Sequence, residues 1–116
     1  MQNFLFVKNE NAYTKLNFSE IIYIESLKNY ARIISTKETF LILVTMKHVE
    51  EILPTNIFCR VHRSFIVSLN YVTGFNSSHV HMPNKNFPLS EQYRVILMQK
   101  IITLAGEPRN KIKTYS

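Results

Sequence analysis

Aspartate is absent from this sequence of 116 residues, and glycine occurs only as Gly74 and Gly106. An aspartyl phosphoacceptor, a Walker B acid, an EF-hand calcium loop and a Ser-His-Asp triad all depend on an Asp carboxylate, so each is excluded. Phosphate-cradling loops and dinucleotide-binding fingerprints need several closely spaced glycines, which this chain lacks. The composition therefore removes several nucleotide- and calcium-binding sites from consideration.

Cysteine occurs once, as Cys59, which excludes an intrachain disulfide and a multi-cysteine zinc site. Its position between Phe58 and Arg60 favours a small core residue, whereas a catalytic thiol would need an oriented base. His62 lies near both Cys59 and Ser64, but neither pair has a flanking catalytic motif or a third orienting group. We therefore expect no enzymatic activity, no cofactor and no small-molecule substrate.

Long apolar runs are also absent, and the N-terminus has no basic segment followed by a hydrophobic one. We therefore expect a soluble, cytoplasmic protein with no membrane partner. The contents of 46% hydrophobic and 19% charged residues are typical of a globular protein. We predict a single domain over residues 1–116, with its core over about residues 13–104 and a basic, flexible tail over residues 105–116.

The formal net charge is +6 at pH 7. A small basic domain most often meets nucleic acid, an anionic membrane or an acidic protein, although a moderate positive charge can also serve solubility alone. The charge therefore suggests an anionic partner without identifying it.

Short β-rich segments separated by polar turns dominate the chain. We predict strands over residues 4–8, 13–16, 21–25, 30–36, 39–44, 57–61, 65–67, 71–75 and 79–82. In the fourth of these, Ala31 and Ile33 share one face while Tyr30 and Arg32 share the other. The segment Asn84-Lys85-Asn86 is predicted to be a turn. The pattern indicates a mainly-β domain.

Two helices are predicted between and after these strands. The first is short, with Thr45 as its N-cap and Pro54 as its end, and its apolar positions are Met46, Val49, Ile52 and Leu53. The second starts at the N-cap Ser90 and ends before Gly106 and Pro108. Its apolar stripe is Tyr93, Ile96, Leu97, Ile101 and Leu104.

The run Arg60-Val-His-Arg-Ser-Phe-Ile-Val-Ser-Leu-Asn-Tyr-Val72 places a basic cluster between apolar segments. No acidic residue occurs between Glu51 and Glu91, so no neighbour in sequence neutralises it. Arg63 and Ser64 are the leading candidates for an anion, because a guanidinium binds phosphate or a guanine edge bidentately and a hydroxyl donates to phosphate. The alternative for Arg63 is a surface ion pair. Arg60 and His62 are expected to belong to the scaffold.

Three further segments could contact nucleic acid, and each has a plain alternative. The loop Lys28-Asn29-Tyr30 could bind phosphate and read an adenine edge, or be a solvated turn. At the start of the second helix, Gln92 could read a base and Arg94 a phosphate, or the segment could be an ordinary capped helix start. Lys47 could reach phosphate or be merely solvated.

Two other readings remain open at this point. His79 and His81 could share one strand face, which is a weak indication of a metal site. The alternative is that the two histidines belong to the polar outer face of a hairpin. Exposed Tyr23, Tyr30 or Tyr71 could instead form a stacking platform in a β-rich interaction module that binds RNA or an acidic protein.

The order of several motifs resembles the LytTR family, the DNA-binding output domains of LytR- and AgrA-type response regulators. The motifs are Ile21-Ile-Tyr-Ile-Glu-Ser26, Asn29-Tyr30, the segment from Lys47 to Leu53-Pro54, Phe58-Cys-Arg-Val-His-Arg-Ser-Phe-Ile-Val67, and Pro88-Leu-Ser90 with Tyr93. The resemblance covers roughly residues 13–104, and the segment over residues 58–67 is its most specific part.

The resemblance implies a mainly-β fold of several small antiparallel sheets around an elongated core, with a short internal helix and a C-terminal helix. It implies bacterial transcription regulation in a two-component system, by loops that enter successive major grooves of double-stranded DNA. Such domains bind as pairs on tandem promoter repeats, so a homodimer on DNA is expected. The implied base-reading residues are Lys28, Asn29, Tyr30, Arg63 and Gln92, and the implied phosphate contacts are Lys47, Ser64, Ser90 and Arg94.

This sequence departs from the family at two points. Members often carry Arg where Gln92 stands, and Gln pairs with adenine whereas Arg prefers guanine. Whether Gln92 or Arg94 reaches the bases is therefore open. The receiver domain of full-length members is missing, so the chain is an excised output domain or a short regulator.

Overall fold

The computed structural model describes residues 2–106, and these fold into three antiparallel sheets and two α-helices. The strands are β1 (Phe4–Asn9), β2 (Ala12–Asn17), β3 (Ile21–Leu27), β4 (Tyr30–Ser35), β5 (Thr39–Leu43), β6 (Phe58–His62), β7 (Phe65–Ser68), β8 (Gly74–Phe75), β9 (His79–Met82) and β10 (Lys85–Pro88). The helices are α1 (Met46–Ile52) and α2 (Glu91–Lys100). Most of the predicted tail, residues 107–116, lies outside the described residues.

A five-stranded sheet forms the centre of the fold, in the order β5-β4-β3-β7-β6. Each neighbouring pair in it is antiparallel. The β1–β2 hairpin and the three-stranded sheet β10-β9-β8 are separate from it. The predicted mainly-β fold with several small antiparallel sheets is confirmed.

Two hydrophobic cores lie on opposite faces of the five-stranded sheet. Ile24, Ile66 and Phe58 contribute to the core shared with the β1–β2 hairpin and α1. Their neighbours in sequence, including Val67 and Cys59, contribute to the core shared with the three-stranded sheet and α2. Because β3 and β7 are covered on both faces, their sequences are largely apolar runs and do not alternate.

Helix α1 follows its sequence prediction closely, except at Ile52. The hydroxyl of Thr45 accepts a hydrogen bond from the backbone N–H of His48 at 3.1 Å, as an N-cap does. Met46, Val49 and Leu53 are buried, but Ile52 is 51% exposed. In residues 2–106 neither helix has the length and apolar character needed to cross a membrane.

Helix α2 is shorter than predicted and ends at Lys100. Its N-cap backbone N–H donates to the carbonyl of Val61, and Lys100 Nζ donates to the carbonyl of Phe58 at 3.0 Å. The helix therefore packs along β6 from Val61 to Phe58. Because Phe58 is the first residue of β6, residues after Lys100 have no further part of this strand to pack against. The predicted stripe is wrong at Ile96, which is 40% exposed, and at Leu104, which is fully exposed outside the helix.

The region between β7 and α2 contains two further corrections. The strand predicted over residues 71–75 is reduced to Gly74–Phe75, because Leu69–Tyr71 forms a 3-10 turn. The predicted turn Asn84-Lys85-Asn86 is wrong, since Lys85 and Asn86 belong to β10 and pair with Met82 and His81. Cross-strand pairing with β9 overrides the turn propensity of the two asparagines.

Candidate nucleic-acid interface

Two turns meet at one end of the five-stranded sheet. Lys28 and Asn29 form the turn between β3 and β4, and Arg63 and Ser64 form the turn between β6 and β7. Because β3 pairs directly with β7, the turns are neighbours, and the backbone N–H of Ser26 donates to the carbonyl of Ser64 at 2.9 Å. Sheet pairing thus brings together two segments that are far apart in sequence.

Helix α1 starts at the same end of the sheet, because β5 ends there at Leu43. Its first turn carries Lys47, whose side chain is exposed. A cleft of about 550 Å³ lies between the helix and the two turns. The candidate residues Lys28, Asn29, Lys47 and Arg63 line it together with Ser26, Leu43, Val44, Thr45, Met46 and Arg60. We call this space the basic cleft.

The basic cleft has no acidic residue in its lining. Within residues 2–106, no carboxylate lies within salt-bridge distance of Lys28, Lys47 or Arg63. Arg60, in contrast, is paired with Glu50 at 3.3 Å. These three cations have no counterion within residues 2–106, and together they form a local positive field that favours an anionic ligand such as a phosphate backbone.

Arg60 lies beneath the basic cleft and connects the elements around it. Its guanidinium donates to Glu50 of α1 and to the backbone carbonyl of Arg63, and it lies 5.6 Å from the ring centroid of Tyr93 in α2. Its side chain is only 15% exposed. The scaffold role expected for Arg60 is consistent with these contacts, but no pattern in the sequence indicates that one side chain contacts three elements.

His62 fixes the shape of the β6–β7 turn. Its Nδ1 accepts a hydrogen bond from the backbone N–H of Ser64 at 3.1 Å, so this nitrogen carries no proton in that arrangement. The imidazole ring also lies 5.8 Å from the ring of Phe65. These contacts agree with a hydrogen-bonded structural residue, and they hold the turn that presents Arg63.

Lys28 has a left-handed backbone conformation, with φ of 55°. That region is disfavoured for residues with a Cβ and is usually taken by Gly, Asn or Asp. Strained backbone of this kind concentrates at functional sites. Residue 28 therefore carries backbone strain that a glycine at this position would not have.

The N-terminus of α2 lies beside the basic cleft and does not line it. Gln92 is exposed in the first turn. Arg94 is engaged by Glu91 at 2.7 Å, an ion pair that also raises the pKa of the guanidinium. Ser90 occupies the N-cap position, but its side chain makes no capping bond and its hydroxyl oxygen is buried. Of Ser90, Gln92 and Arg94, Gln92 is the most exposed to solvent.

An apolar feature borders the basic cleft that the sequence did not single out. Leu27 pairs in register with Tyr30 across β3 and β4, and Tyr30 pairs with Leu43 across β4 and β5. All three side chains are exposed, Leu43 by 70%. The sequence contains one indication of this feature. Leu43 follows Ile42 on a strand, and because successive residues of a strand point to opposite faces, Leu43 faces away from the first core.

The remaining candidate residues have structural partners. His81 Nδ1 lies 3.0 Å from Asn86 Oδ1, and His79 Nδ1 lies 2.9 Å from Ser78 Oγ. Among residues 2–106, no group of three or more His, Cys or Glu side chains is placed to hold a metal. Cys59 is fully buried, which raises the pKa of its thiol, in agreement with a core residue.

The family model described as the LytTr DNA-binding domain matches residues 11–102. Two curated relatives, both named sensory transduction protein LytT, come from Bacillus anthracis and Bacillus cereus. Each is 29% identical over 90 residues, which cover 72% of this chain and 37% of the relative. The chain thus corresponds to well under half the length of these relatives.

One solved structure is similar over most of the chain, with a TM-score of 0.71 and 23% sequence identity. It is the LytTr DNA-binding domain of a Bacillus cereus protein described as a methyl-accepting/DNA response regulator. The similarity covers 86% of this chain and 97% of that structure. It confirms the fold expected from the sequence.

Proposed function

Because the chain belongs to the LytTr DNA-binding domain family, we propose that it reads a specific sequence in double-stranded DNA as the output domain of a bacterial transcription regulator. Binding of DNA is the function of the family, and the family is not enzymatic. The sequence specificity, the individual contacts and the arrangement on the promoter are the proposed parts.

The observation that supports this function best is the basic cleft. Two turns and a helix start converge on it, and each contributes side chains that suit DNA. Lysines contact phosphates as point charges, whereas Arg and Asn can bind base edges bidentately in the major groove. Strands hold both turns, so little backbone freedom is lost on binding.

The proposed roles divide between sequence reading and phosphate binding. Bases are read by Lys28, Asn29, Tyr30, Arg63 and Gln92, and phosphates are held by Lys47, Ser64, Ser90 and Arg94. Ser90 and Arg94 need a local change for this role, because the hydroxyl of Ser90 is enclosed and Arg94 must exchange Glu91 for a phosphate. Gln92 needs none, so it is the proposed base reader at the start of α2.

In this proposal the turns of the basic cleft and the start of α2 enter successive major grooves of the duplex. Pairs of the domain on tandem repeats would double the number of contacts, as avidity requires. The relatives named as sensory transduction proteins support a place downstream of a signal.

The alternative of a stacking platform for RNA finds little support in the positions of the tyrosines. The Tyr23 ring packs edge-on against Phe87 at 4.8 Å between centroids, and the Tyr71 hydroxyl donates to the carbonyl of Ser19. Tyr30 lies at the opposite end of the β3–β4 pair from Tyr23. Three rings with these separate contacts do not form one surface on which successive bases could stack.

Selection of bound duplexes from a random pool tests the proposal. We expect one enriched motif, repeated at a fixed spacing if two copies bind together. The selected duplex should then outcompete single-stranded RNA at moderate salt. Failure to enrich any motif, or preferential binding of the RNA, would contradict sequence-specific DNA binding.

A matched pair of lysine variants controls for charge in this experiment. Lys47→Ala removes a cation from the basic cleft. Lys37→Ala removes one at the opposite end of β4, where Lys37 is paired with Glu20 at 2.9 Å. Only the first should weaken binding of the selected duplex, because only Lys47 lies at the proposed interface.

A further inference from the structure

Three apolar side chains form a row across the end of the five-stranded sheet. Leu27, Tyr30 and Leu43 are register partners on the adjacent strands β3, β4 and β5. Directly opposed residues of an antiparallel pair project from the same face, so the three side chains lie side by side. We call this set the apolar row.

The apolar row is not part of either hydrophobic core. Leu27, Tyr30 and Leu43 are exposed by 40%, 43% and 70%, respectively. Their neighbours Ala31 and Ile42 point to the other face, into the first core. An isolated exposed leucine needs no explanation, but two leucines and a tyrosine aligned at the edge of a cleft form a patch of the kind that marks an interaction site.

The position of Leu43 connects the apolar row to the proposed DNA contacts. Leu43 lines the basic cleft together with Lys28 and Lys47. A ligand that neutralises these cations would therefore also cover Leu43. A ligand that fits this site must therefore carry negative charge and also present a small apolar group next to its hydrogen-bonding groups.

Thymine in a DNA duplex has this combination. Its 5-methyl group lies in the major groove beside the hydrogen-bonding edges of the bases, with the phosphates on either side. We propose that the apolar row recognises thymine 5-methyl groups and that Leu43 makes the principal contact. This inference rests on the proposed function, and it adds a specificity residue that contributes no charge and no hydrogen bond.

Deoxyuridine provides a test, because it removes the methyl group of thymine and leaves every hydrogen-bonding group in place. Each thymine of the selected duplex is replaced in turn, and the affinity is measured by fluorescence anisotropy. For the wild-type chain, one or two positions should weaken binding by about fourfold, the effect of losing burial of one methyl-sized group. Leu43→Ala should bind the thymine and deoxyuridine forms of those duplexes equally.

Leu41 offers a matched control on the same strand. It is a leucine of the same face as Leu43, it is 54% exposed, and it does not line the basic cleft. Leu41→Ala should keep the wild-type difference between thymine and deoxyuridine. Thermal unfolding of both variants shows whether they are equally folded, and the ratio of two affinities within one variant is insensitive to a loss of folded fraction.

The outcomes separate the inference from the proposed function. If the chain selects a motif but no deoxyuridine position weakens binding, or if Leu43→Ala keeps the difference, the methyl contact is wrong while sequence-specific DNA binding stands. A change in sedimentation of the free protein on Leu43→Ala, with the thymine difference unaltered, would assign the apolar row to self-association and overturn the inference. Failure to select any motif would remove the proposed function itself.

Discussion

The guanidinium of Arg60 donates a hydrogen bond to the backbone carbonyl of Arg63. One arginine thereby holds the turn that carries the other. The two have opposite environments, since Arg60 is mostly buried and paired with Glu50, while Arg63 is exposed and faces the basic cleft. The difference divides two neighbouring arginines into a support and a candidate DNA contact.

Replacement of Arg60 should relax sequence recognition, because the turn would lose its support. Arg60→Lys keeps the charge near Glu50 but cannot provide the planar fork that reaches both partners. We expect a lower preference for the selected motif at the position read by Arg63. The salt dependence of binding should be unchanged, since no phosphate contact is removed.

The measurement for Arg60 is a binding profile over single-base variants of the selected duplex at two salt concentrations. Arg60→Ala should in addition lower the free energy of unfolding by about 1–3 kcal/mol, because buried polar groups lose a charged partner. An Arg60→Lys profile identical to that of the wild type would show that the turn does not depend on this side chain.

Replacement of Arg63 should affect DNA binding and leave stability unaltered. The side chain is exposed and has no carboxylate partner in the described part of the chain. Arg63→Ala should weaken binding of the cognate duplex by about 1–3 kcal/mol and relax one base position. Parallel measurements of affinity and of thermal unfolding check this prediction. Unchanged affinity and selectivity would remove Arg63 from the interface.

Lys47 should contribute to affinity without contributing to specificity. A lysine that contacts phosphate is indifferent to sequence, so Lys47→Ala should weaken cognate and random duplexes by the same factor. The slope of log K against log salt should decrease by about 1, because one fewer counterion is released. Titrations of both duplexes over a range of salt measure the two effects together. A loss confined to the cognate duplex would instead make Lys47 a base reader.

Lys28→Gly separates strain from function at the β3–β4 turn. Glycine adopts the left-handed conformation of residue 28 without steric strain, which stabilises the folded state. Glycine also raises the conformational entropy of the unfolded chain, which lowers stability, so the two effects oppose each other. We therefore expect the free energy of unfolding to change by less than about 1 kcal/mol. DNA affinity should fall, because the side chain that lines the basic cleft is lost.

A variant at a similar turn provides the control for Lys28. Glu10 also has a left-handed conformation, with φ of 57°, in the turn between β1 and β2. Glu10→Gly should have a similarly small effect on unfolding and none on DNA binding. If Lys28→Gly bound DNA as well as the wild type, the strained lysine would need another explanation.

Much of the architecture could be predicted from local patterns. Alternation in β4, the Thr45 cap and the position of Pro54 are properties of short segments, so these elements were identified correctly. The errors occur where an element depends on what it packs against. Helix α2 ends beside Phe58, the first residue of β6, and Lys85 joins a strand because β9 is beside it.

The amino-acid sequence by itself determined the composition of the candidate interface: a basic cluster with no nearby acid, two polar breaks between apolar strands, and the positions of two helix starts. Only the tertiary structure decided which of these segments meet. The pairing of β3 with β7 places Lys28 and Arg63 on one cleft, and the ion pair with Glu50 neutralises Arg60, which lines the same cleft. The physical reason is that propensity and charge act locally, whereas strand pairing and competition for a carboxylate depend on residues distant in sequence.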